Sequence, residues 1–109
     1  ASIQSAQMME EFRRSVYESK KGEILAQIKQ KYILYNETLT QIGQYEQKAL
    51  PNAALIRSVS EKQFSNGQIN YLEYVMLTNQ AINIESEYLE LKRNINMYII
   101  DLHYLTANH

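Results

Sequence analysis

Beyond Gln68 the chain contains no glycine and no proline, and its apolar residues recur in alternating steps of three and four. This spacing places one continuous stripe along an α-helix, in the heptad pattern of a coiled coil. The stripe of this second arm has ten positions, all apolar or aromatic: Tyr74, Leu77, Ala81, Ile84, Tyr88, Leu91, Ile95, Tyr98, Leu102 and Leu105. The pattern predicts a long helix over 70–106.

The first half of the chain carries a matching stripe. Its positions keep the same rhythm, with one charged exception: Leu25, Ile28, Tyr32, Tyr35, Leu39, Ile42, Glu46, Ala49, Ala53 and Ile56. Pro51 fixes φ and lacks an amide hydrogen, so it either kinks this helix or begins a new one. Because the stripe continues through Pro51 without a change of phase, we expect a kinked helical arm over 1–64.

A single cluster of turn-forming residues, Ser65-Asn66-Gly67, lies between the two stripes. Facing positions of an antiparallel hairpin have residue numbers with a constant sum. Five pairs share one sum that centres on Asn66-Gly67: Ile56 with Leu77, Ala49 with Ile84, Ile42 with Leu91, Tyr35 with Tyr98, and Ile28 with Leu105. The turn residues and the register therefore predict the same tip turn, at 65–69.

The resulting fold class is all-α, a long antiparallel coiled-coil helical hairpin that forms a single domain over 1–109. Two further apolar stripes have no partner in this hairpin. The N-terminal stripe contains Met8, Met9, Phe12 and Val16, and the outer stripe of the second arm contains Leu72, Val75, Ile82, Leu89 and Ile100. Helices with two apolar faces need two neighbours, so we expect the hairpin to pack into a larger helical array.

Composition excludes several classes of function. Eleven basic and twelve acidic residues are spread evenly, so no face collects the positive charge that nucleic acid requires. The absence of cysteine excludes disulfides and thiolate metal sites. No apolar run approaches the roughly 20 residues that span a bilayer, and the first residues do not resemble a signal peptide. We therefore expect a soluble piece of something larger, with no direct membrane insertion.

Residue types with catalytic or metal-binding chemistry are present but scattered. Asp101 and His103 are two positions apart on a helix and point to different faces, so they assemble no catalytic site. Met76, Met97, His103 and His109 are spread along several helical turns, whereas a soft-metal site needs converging ligands. We therefore predict no enzymatic activity, no cofactor and no metal site.

Three segments resemble one family. Residues 64–74 read Phe-Ser-Asn-Gly-Gln-Ile-Asn-Tyr-Leu-Glu-Tyr, similar to the aromatic-x-x-Gly-x-x-x-Tyr-Leu-Glu-Val segment of TolC-like outer-membrane efflux proteins, and closest to the heavy-metal branch. Residues 45–53 resemble that family's Tyr-x-x-x-x-Leu-Pro-x-Ala, and residues 102–108 resemble its closing Leu-x-x-Leu-Thr-Gly. The family's last aliphatic in Tyr-Leu-Glu-Val is replaced here by Tyr74, and the likeness extends from about Gln27 to the end of the chain.

This resemblance implies a function. In the family, a trimer builds a periplasmic helical tunnel whose tips meet the adaptor protein of a resistance-nodulation-division pump. The chain would then be the periplasmic tip hairpin of a Gram-negative efflux component that exports heavy-metal cations or other toxic solutes. Its parent would be either a separate outer-membrane channel or a heavy-metal pump with a TolC-like C-terminal extension. Its partners would be the adaptor, the inner-membrane transporter and further copies of itself, contacted through helical faces.

The residues expected to dock a partner lie at the tip: Phe64, Ser65, Asn66, Gly67, Gln68, Asn70, Tyr71 and Glu73. Simpler explanations exist for two of them, since Gly67 can merely close the turn and Glu73 can merely favour a helix N-terminus. The alternative function is a stand-alone coiled-coil adaptor or a holdase chaperone. A holdase predicts basic, flexible arm tips, whereas this tip is nearly neutral.

Overall fold

The computed structural model describes residues 2–107, and it contains three α-helices and one π-helical turn. Helix α1 covers Ser2–Gln44, the π turn covers Tyr45–Ala49, α2 covers Leu50–Ser65, and α3 covers Tyr71–Ala107. Helices α1 and α2 form the first arm, and α3 returns along it as the second. The described residues include no strand, and the molecule measures 93 × 23 × 16 Å. The predicted all-α helical hairpin is confirmed.

The stripe of the second arm is the inner face of α3. All ten of its predicted positions are buried or half-buried, from Tyr74 to Leu105. Ala81 is completely buried. The outer stripe lies off this face at four of its five positions, since Leu72, Ile82, Leu89 and Ile100 remain exposed, whereas Val75 is half-buried. The sequence pattern therefore identified the packing face of this helix correctly.

The stripe predicted for the first arm is wrong at alternate positions. Leu25, Tyr32, Leu39 and Glu46 are exposed, and the residues just before them, Ile24, Lys31, Thr38 and Tyr45, lie inward instead. The cause is the π turn, which holds one more residue per turn than an α-helix and so changes the phase of the arm. As a result, the inward positions Tyr45, Ala49 and Ala53 are separated by two successive steps of four residues, where the predicted stripe alternates steps of three and four.

Pro51 lies directly after this π turn and does not break the arm. The Leu50 amide donates to the Tyr45 carbonyl, which is a bond to the fifth preceding residue. Ala49 and Leu50 keep helical dihedrals, with φ of −69° and −65°. A proline ring collides with carbonyl groups of the preceding α-helical turn, and a wider π turn gives it room. The distortion expected at Pro51 is therefore located at Tyr45–Ala49.

Small side chains occupy the contact between the arms near the tip. Ala53, Ser60 and Ala81 are each at most 1% exposed. The Ser60 hydroxyl is satisfied by donating to the Arg57 carbonyl at 3.1 Å. The separation of packed helices depends on side-chain size at the contact, so these residues allow the arms to approach closely.

The hairpin is elongated and has little core of its own. Its radius of gyration is 25.8 Å, about twice the roughly 13 Å of a compact domain of this length. Among the described residues, the buried hydrophobic side chains are Ile42, Ala53 and Ala81. Helix α1 also extends past the end of α3, because Leu105 and Thr106 lie beside Ile24 and Ile28 in one groove. We call residues 2–23 the overhang, and all of its side chains are exposed.

Candidate functional site: the hairpin tip

The turn at the tip begins with a glycine-dependent helix cap. The Gln68 amide donates to the Gln63 carbonyl at 2.8 Å, and the Gly67 amide donates to the Phe64 carbonyl at 3.1 Å. These two bonds define a Schellman motif, which satisfies carbonyl groups at the end of α2. Gly67 has φ of 70°, a left-handed conformation that side chains other than glycine disfavour. Gly67 therefore closes the turn by its backbone conformation.

The second arm begins with a reciprocal cap. The Glu73 amide donates to Asn70 Oδ1 at 2.8 Å, and the Asn70 amide donates to Glu73 Oε1 at 3.3 Å. This capping box satisfies amides that would otherwise lack a partner in the first turn of α3. Both side chains of this pair, predicted as docking residues, thus have a structural role. The Asn-x-x-Glu spacing before an apolar run was the sequence signal for it.

Three aromatic rings join the two arms above the turn. The Phe64 and Tyr74 rings are stacked, with centroids 4.7 Å apart and planes at 16°. The Tyr71 ring lies 6.1 Å from Phe64 at a tilt of 55°. We call Phe64, Tyr71 and Tyr74 the aromatic cluster. Sequence reasoning assigned Tyr74 to the inner stripe alone and so missed its contact with Phe64.

All eight predicted tip residues are exposed, and the two caps hold them on one short turn. The segment from Ser65 to Asn70 carries no charged side chain. Tyr71 is 70% exposed, and Leu72 beside it is also exposed although it was not among the predicted tip residues. The surface offered to a partner therefore consists of aromatic and aliphatic groups around a neutral polar turn. Its role in docking remains a prediction.

A second polar constellation crosses the hairpin at the π turn. The Tyr45 hydroxyl donates to Glu87 Oε2 at 2.5 Å, and the Tyr88 hydroxyl donates to Glu46 Oε1 at 3.0 Å. We call these four residues the tyrosine–glutamate clasp. The hydrogen bond to Glu87, helped by burial and by the negative charge, raises the pKa of Tyr45 above its usual value. Sequence reasoning missed the clasp, although Tyr-Glu in one arm and Glu-Tyr in the other was its signal.

Ion pairs connect the arms on either side of the clasp. The Arg57 guanidinium approaches Glu85 Oε1 through Nη2 at 2.6 Å and donates to it through Nε at 2.8 Å. Toward the other end, Lys31 Nζ lies 3.1 Å from Asp101 Oδ2 and 5.7 Å from the centroid of the Tyr98 ring. The ion pair with Asp101 and the contact with the Tyr98 ring explain how Lys31 occupies an inward position, because its charge is matched by a carboxylate and an aromatic face.

The residues considered for metal binding do not meet. Across residues 2–107, no three histidine, aspartate or glutamate side chains converge on one point. Met76 and Met97 are exposed on α3, as is His103, whereas His109 lies outside the described residues. A groove of about 530 Å³ lies at the other end of the hairpin, beside Tyr17, Ile24 and Leu105.

The chain matches no family model, no curated protein and no solved structure. None of the helices within residues 2–107 has an apolar stretch that could cross a bilayer. The resemblance to TolC-like efflux proteins thus rests on the quoted sequence segments.

Proposed function

We propose that this chain is the periplasmic tip hairpin of a TolC-like component of a tripartite efflux pump, which exports heavy-metal cations or other toxic solutes. The sequence resemblance at residues 45–53, 64–74 and 102–108 motivates the proposal. The observation that carries it is the tip itself, where two helix caps present the exposed rings of Phe64 and Tyr71 beside a neutral turn.

The construction of the tip suits docking to another protein. Caps at both helix ends fix the turn before a partner arrives, which lowers the entropy lost on binding. Aromatic side chains are enriched at protein interfaces because they bury a large area with few rotatable bonds. The exposed ring of Tyr71 and the partly exposed ring of Phe64 fulfil this role. The partner would be the periplasmic adaptor, which connects the tip to the resistance-nodulation-division transporter.

The arms suit the wall of a helical tunnel. Helix α3 packs its inner face on the first arm and still exposes the aliphatic side chains of Leu72, Ile82, Leu89 and Ile100. The first arm likewise exposes Leu39, Leu55 and Val59. A hairpin with apolar residues on two sides is completed by neighbouring helices, as in an array of hairpins around a channel.

The experiment measures efflux in cells that carry the intact gene. Tyr71→Ala removes an exposed ring without touching a cap, so we expect normal protein levels together with reduced metal tolerance and reduced cross-linking to the adaptor. Tyr17→Ala is the matched control, since Tyr17 is 67% exposed but lies on the overhang at the opposite end. Unchanged tolerance and unchanged cross-linking in the Tyr71→Ala protein would refute the proposed docking role of the tip.

One observation favours a second candidate, a stand-alone coiled-coil adaptor or holdase. The described residues expose many large apolar side chains along both arms, which a chaperone can use to hold unfolded clients. Suppression of the aggregation of a heat-denatured client protein tests this activity. The holdase requires such suppression by the purified chain, and Leu89→Ser on the outer stripe should weaken it. The efflux hairpin requires neither result.

A further inference from the structure

The N-terminal stripe points away from the side on which α3 packs. If the inward positions of the first arm continued past Ile24 in steps of three and four, they would pass through Lys21, Tyr17, Arg14 and Glu10, most of which are charged. The apolar residues Met8, Met9, Phe12 and Val16 lie on another side of α1 and are all exposed. The overhang therefore has an apolar face of its own.

Charged residues of opposite sign border this face. Successive residues of an α-helix are about 100° apart, so Glu11 and Arg13 flank Phe12 on opposite sides. Seven positions later, Glu18 and Lys20 flank Ser19 in the same way. One edge of the face is acidic, through Glu11 and Glu18, and the other is basic, through Arg13 and Lys20. We call these the acidic edge and the basic edge.

We propose that copies of this chain associate side by side through their overhangs, with parallel α1 helices and the acidic edge of one copy against the basic edge of the next. The apolar face is then covered by the equivalent face of a second copy. This inference does not rest on the efflux function, because it uses only the exposed stripe and the charges beside it.

The charges decide the orientation. In a parallel pair of identical helices, opposite edges of the two apolar faces meet, so Glu11 lies near Arg13 of the other copy and Glu18 near its Lys20. In an antiparallel pair related by a twofold axis, each edge meets its own counterpart, which brings glutamate to glutamate and base to base. Like charges in such positions oppose association, whereas opposite charges select the partner and its direction.

The elongated shape of the chain leaves more surface uncovered than a compact fold does. The solvent-accessible surface of the chain is 8665 Å², against roughly 6,300 Å² for a compact monomer of the same mass. This excess is spread along both arms, and the apolar face of the overhang contributes to it through Met8, Met9, Phe12 and Val16, which are 37–69% exposed. The alternating edges also disfavour a lipid surface as the occupant, because helices that lie on anionic membranes carry mainly lysine and arginine on their polar side.

Two charge-reversed proteins test the pairing. The first carries Glu11→Lys with Glu18→Lys, and the second carries Arg13→Glu with Lys20→Glu. We expect self-association of each, measured by sedimentation velocity, to fall by about tenfold, because both edges then have the same sign. An equimolar mixture of the two should recover association near that of the original chain. All four residues are exposed, and circular dichroism verifies that the helices persist.

A matched control reverses charges on the opposite side of the same helix. Glu10→Lys with Arg14→Glu keeps the net charge and should leave association unchanged.

An introduced cysteine tests the orientation of the two helices, since the chain contains no cysteine of its own. Ser5 lies seven residues before Phe12 on the centre of the apolar face, so the Ser5→Cys protein should form a disulfide with itself in a parallel pair.

Three results would overturn the proposal. The original chain could remain monomeric at high concentration, or both charge-reversed proteins could associate as well as it does. In the third case, the Ser5→Cys protein could form a disulfide only with a Ser19→Cys protein, because these positions face each other in an antiparallel pair about Phe12. The efflux proposal is unaffected by any of these results, since it depends on the tip.

Discussion

Tyr45 and Glu87 are joined by a 2.5 Å hydrogen bond between the two arms, although they are 42 positions apart in the chain. Their neighbours Glu46 and Tyr88 form the reciprocal bond at 3.0 Å. Donor and acceptor are exchanged between adjacent residues, so sliding one arm by a single position breaks both bonds. The tyrosine–glutamate clasp therefore specifies the register of the hairpin at its π turn.

Removing the Tyr45 hydroxyl should destabilise the hairpin moderately. Tyr45→Phe deletes the donor to Glu87, and a hydrogen bond of this kind contributes about 1 kcal/mol to the free energy of unfolding. Urea denaturation followed by circular dichroism, at one fixed protein concentration, measures the loss. Tyr17→Phe changes an exposed residue of the overhang and should have no effect. Equal stability of the Tyr45→Phe protein and the original would show that the clasp contributes nothing.

The same bond predicts an alkaline loss of stability. Hydrogen bonding to Glu87, then burial and negative charge, raise the pKa of Tyr45 in the folded chain above the value of about 10 in the unfolded chain. A raised folded pKa gives stability that is fully present below the unfolded pKa and disappears as pH rises through the folded pKa. The difference in unfolding free energy between the original and the Tyr45→Phe protein should therefore shrink above pH ~10. A difference that stays constant there would contradict this assignment.

Gly67 and Gly43 should respond to alanine with opposite signs. An added Cβ at either position meets nothing within 4 Å, so steric collision does not decide the result. Gly67 has φ of 70°, where alanine costs about 1–2 kcal/mol. Gly43 is within α1, where alanine stabilises by about 1 kcal/mol. Thermal denaturation of the two variants measures both shifts, and a stabilised Gly67→Ala protein would contradict the Schellman turn.

The contact at Ala81 should not tolerate a larger side chain. Ala81 is 0% exposed between the arms, so Ala81→Leu must push them apart and should lower the free energy of unfolding by about 1–3 kcal/mol. Ala54→Leu introduces the same side chain at an exposed position of α2 and should be nearly neutral. The comparison by urea denaturation isolates packing from helix propensity. Similar stability of both variants would mean that the arms are loosely packed here.

The capping box should behave as a coupled unit. Asn70→Ala removes the cap of the Glu73 amide and should cost about 1 kcal/mol. Glu73→Ala should cost less, because its bond to the Asn70 amide is longer, at 3.3 Å. The double variant should lose less stability than the sum of the two single losses, because the two side chains cap the same helical turn and are therefore not independent. Strict additivity in a double-mutant cycle would show two independent contacts.

The tip was predictable because its signals are local. An Asn-Gly pair between two apolar patterns indicates a helix end in the left-handed conformation, and Gly67 adopts that conformation with φ of 70°. The stripe of α3 was equally accessible, because an uninterrupted helix keeps a constant period from Tyr74 to Leu105. Docking by the tip and export of a solute remain predictions, since they concern contacts with molecules outside this chain.

The first arm was less predictable, for a physical reason. Leu25, Tyr32 and Leu39 are as apolar as the residues of a true inner stripe, so periodicity alone placed them inward. The π turn at Tyr45–Ala49 changes the phase by one residue, and nothing in a simple count of spacing reveals it. The polar residues that lie inward instead are acceptable only because of partners on the other arm, as Lys31 shows with Asp101.

The sequence by itself determined that the chain forms two long helices, where they reverse and which face of α3 is inward, because helix period and turn chemistry are encoded by neighbouring residues. Only the tertiary structure decided the face of α1, the position of the helical distortion before Pro51, the tyrosine–glutamate clasp and the Phe64–Tyr74 stack. The π turn lies directly before Pro51, but the clasp and the ring stack join residues far apart in the chain, and such contacts select one helical phase among several that the local pattern permits equally.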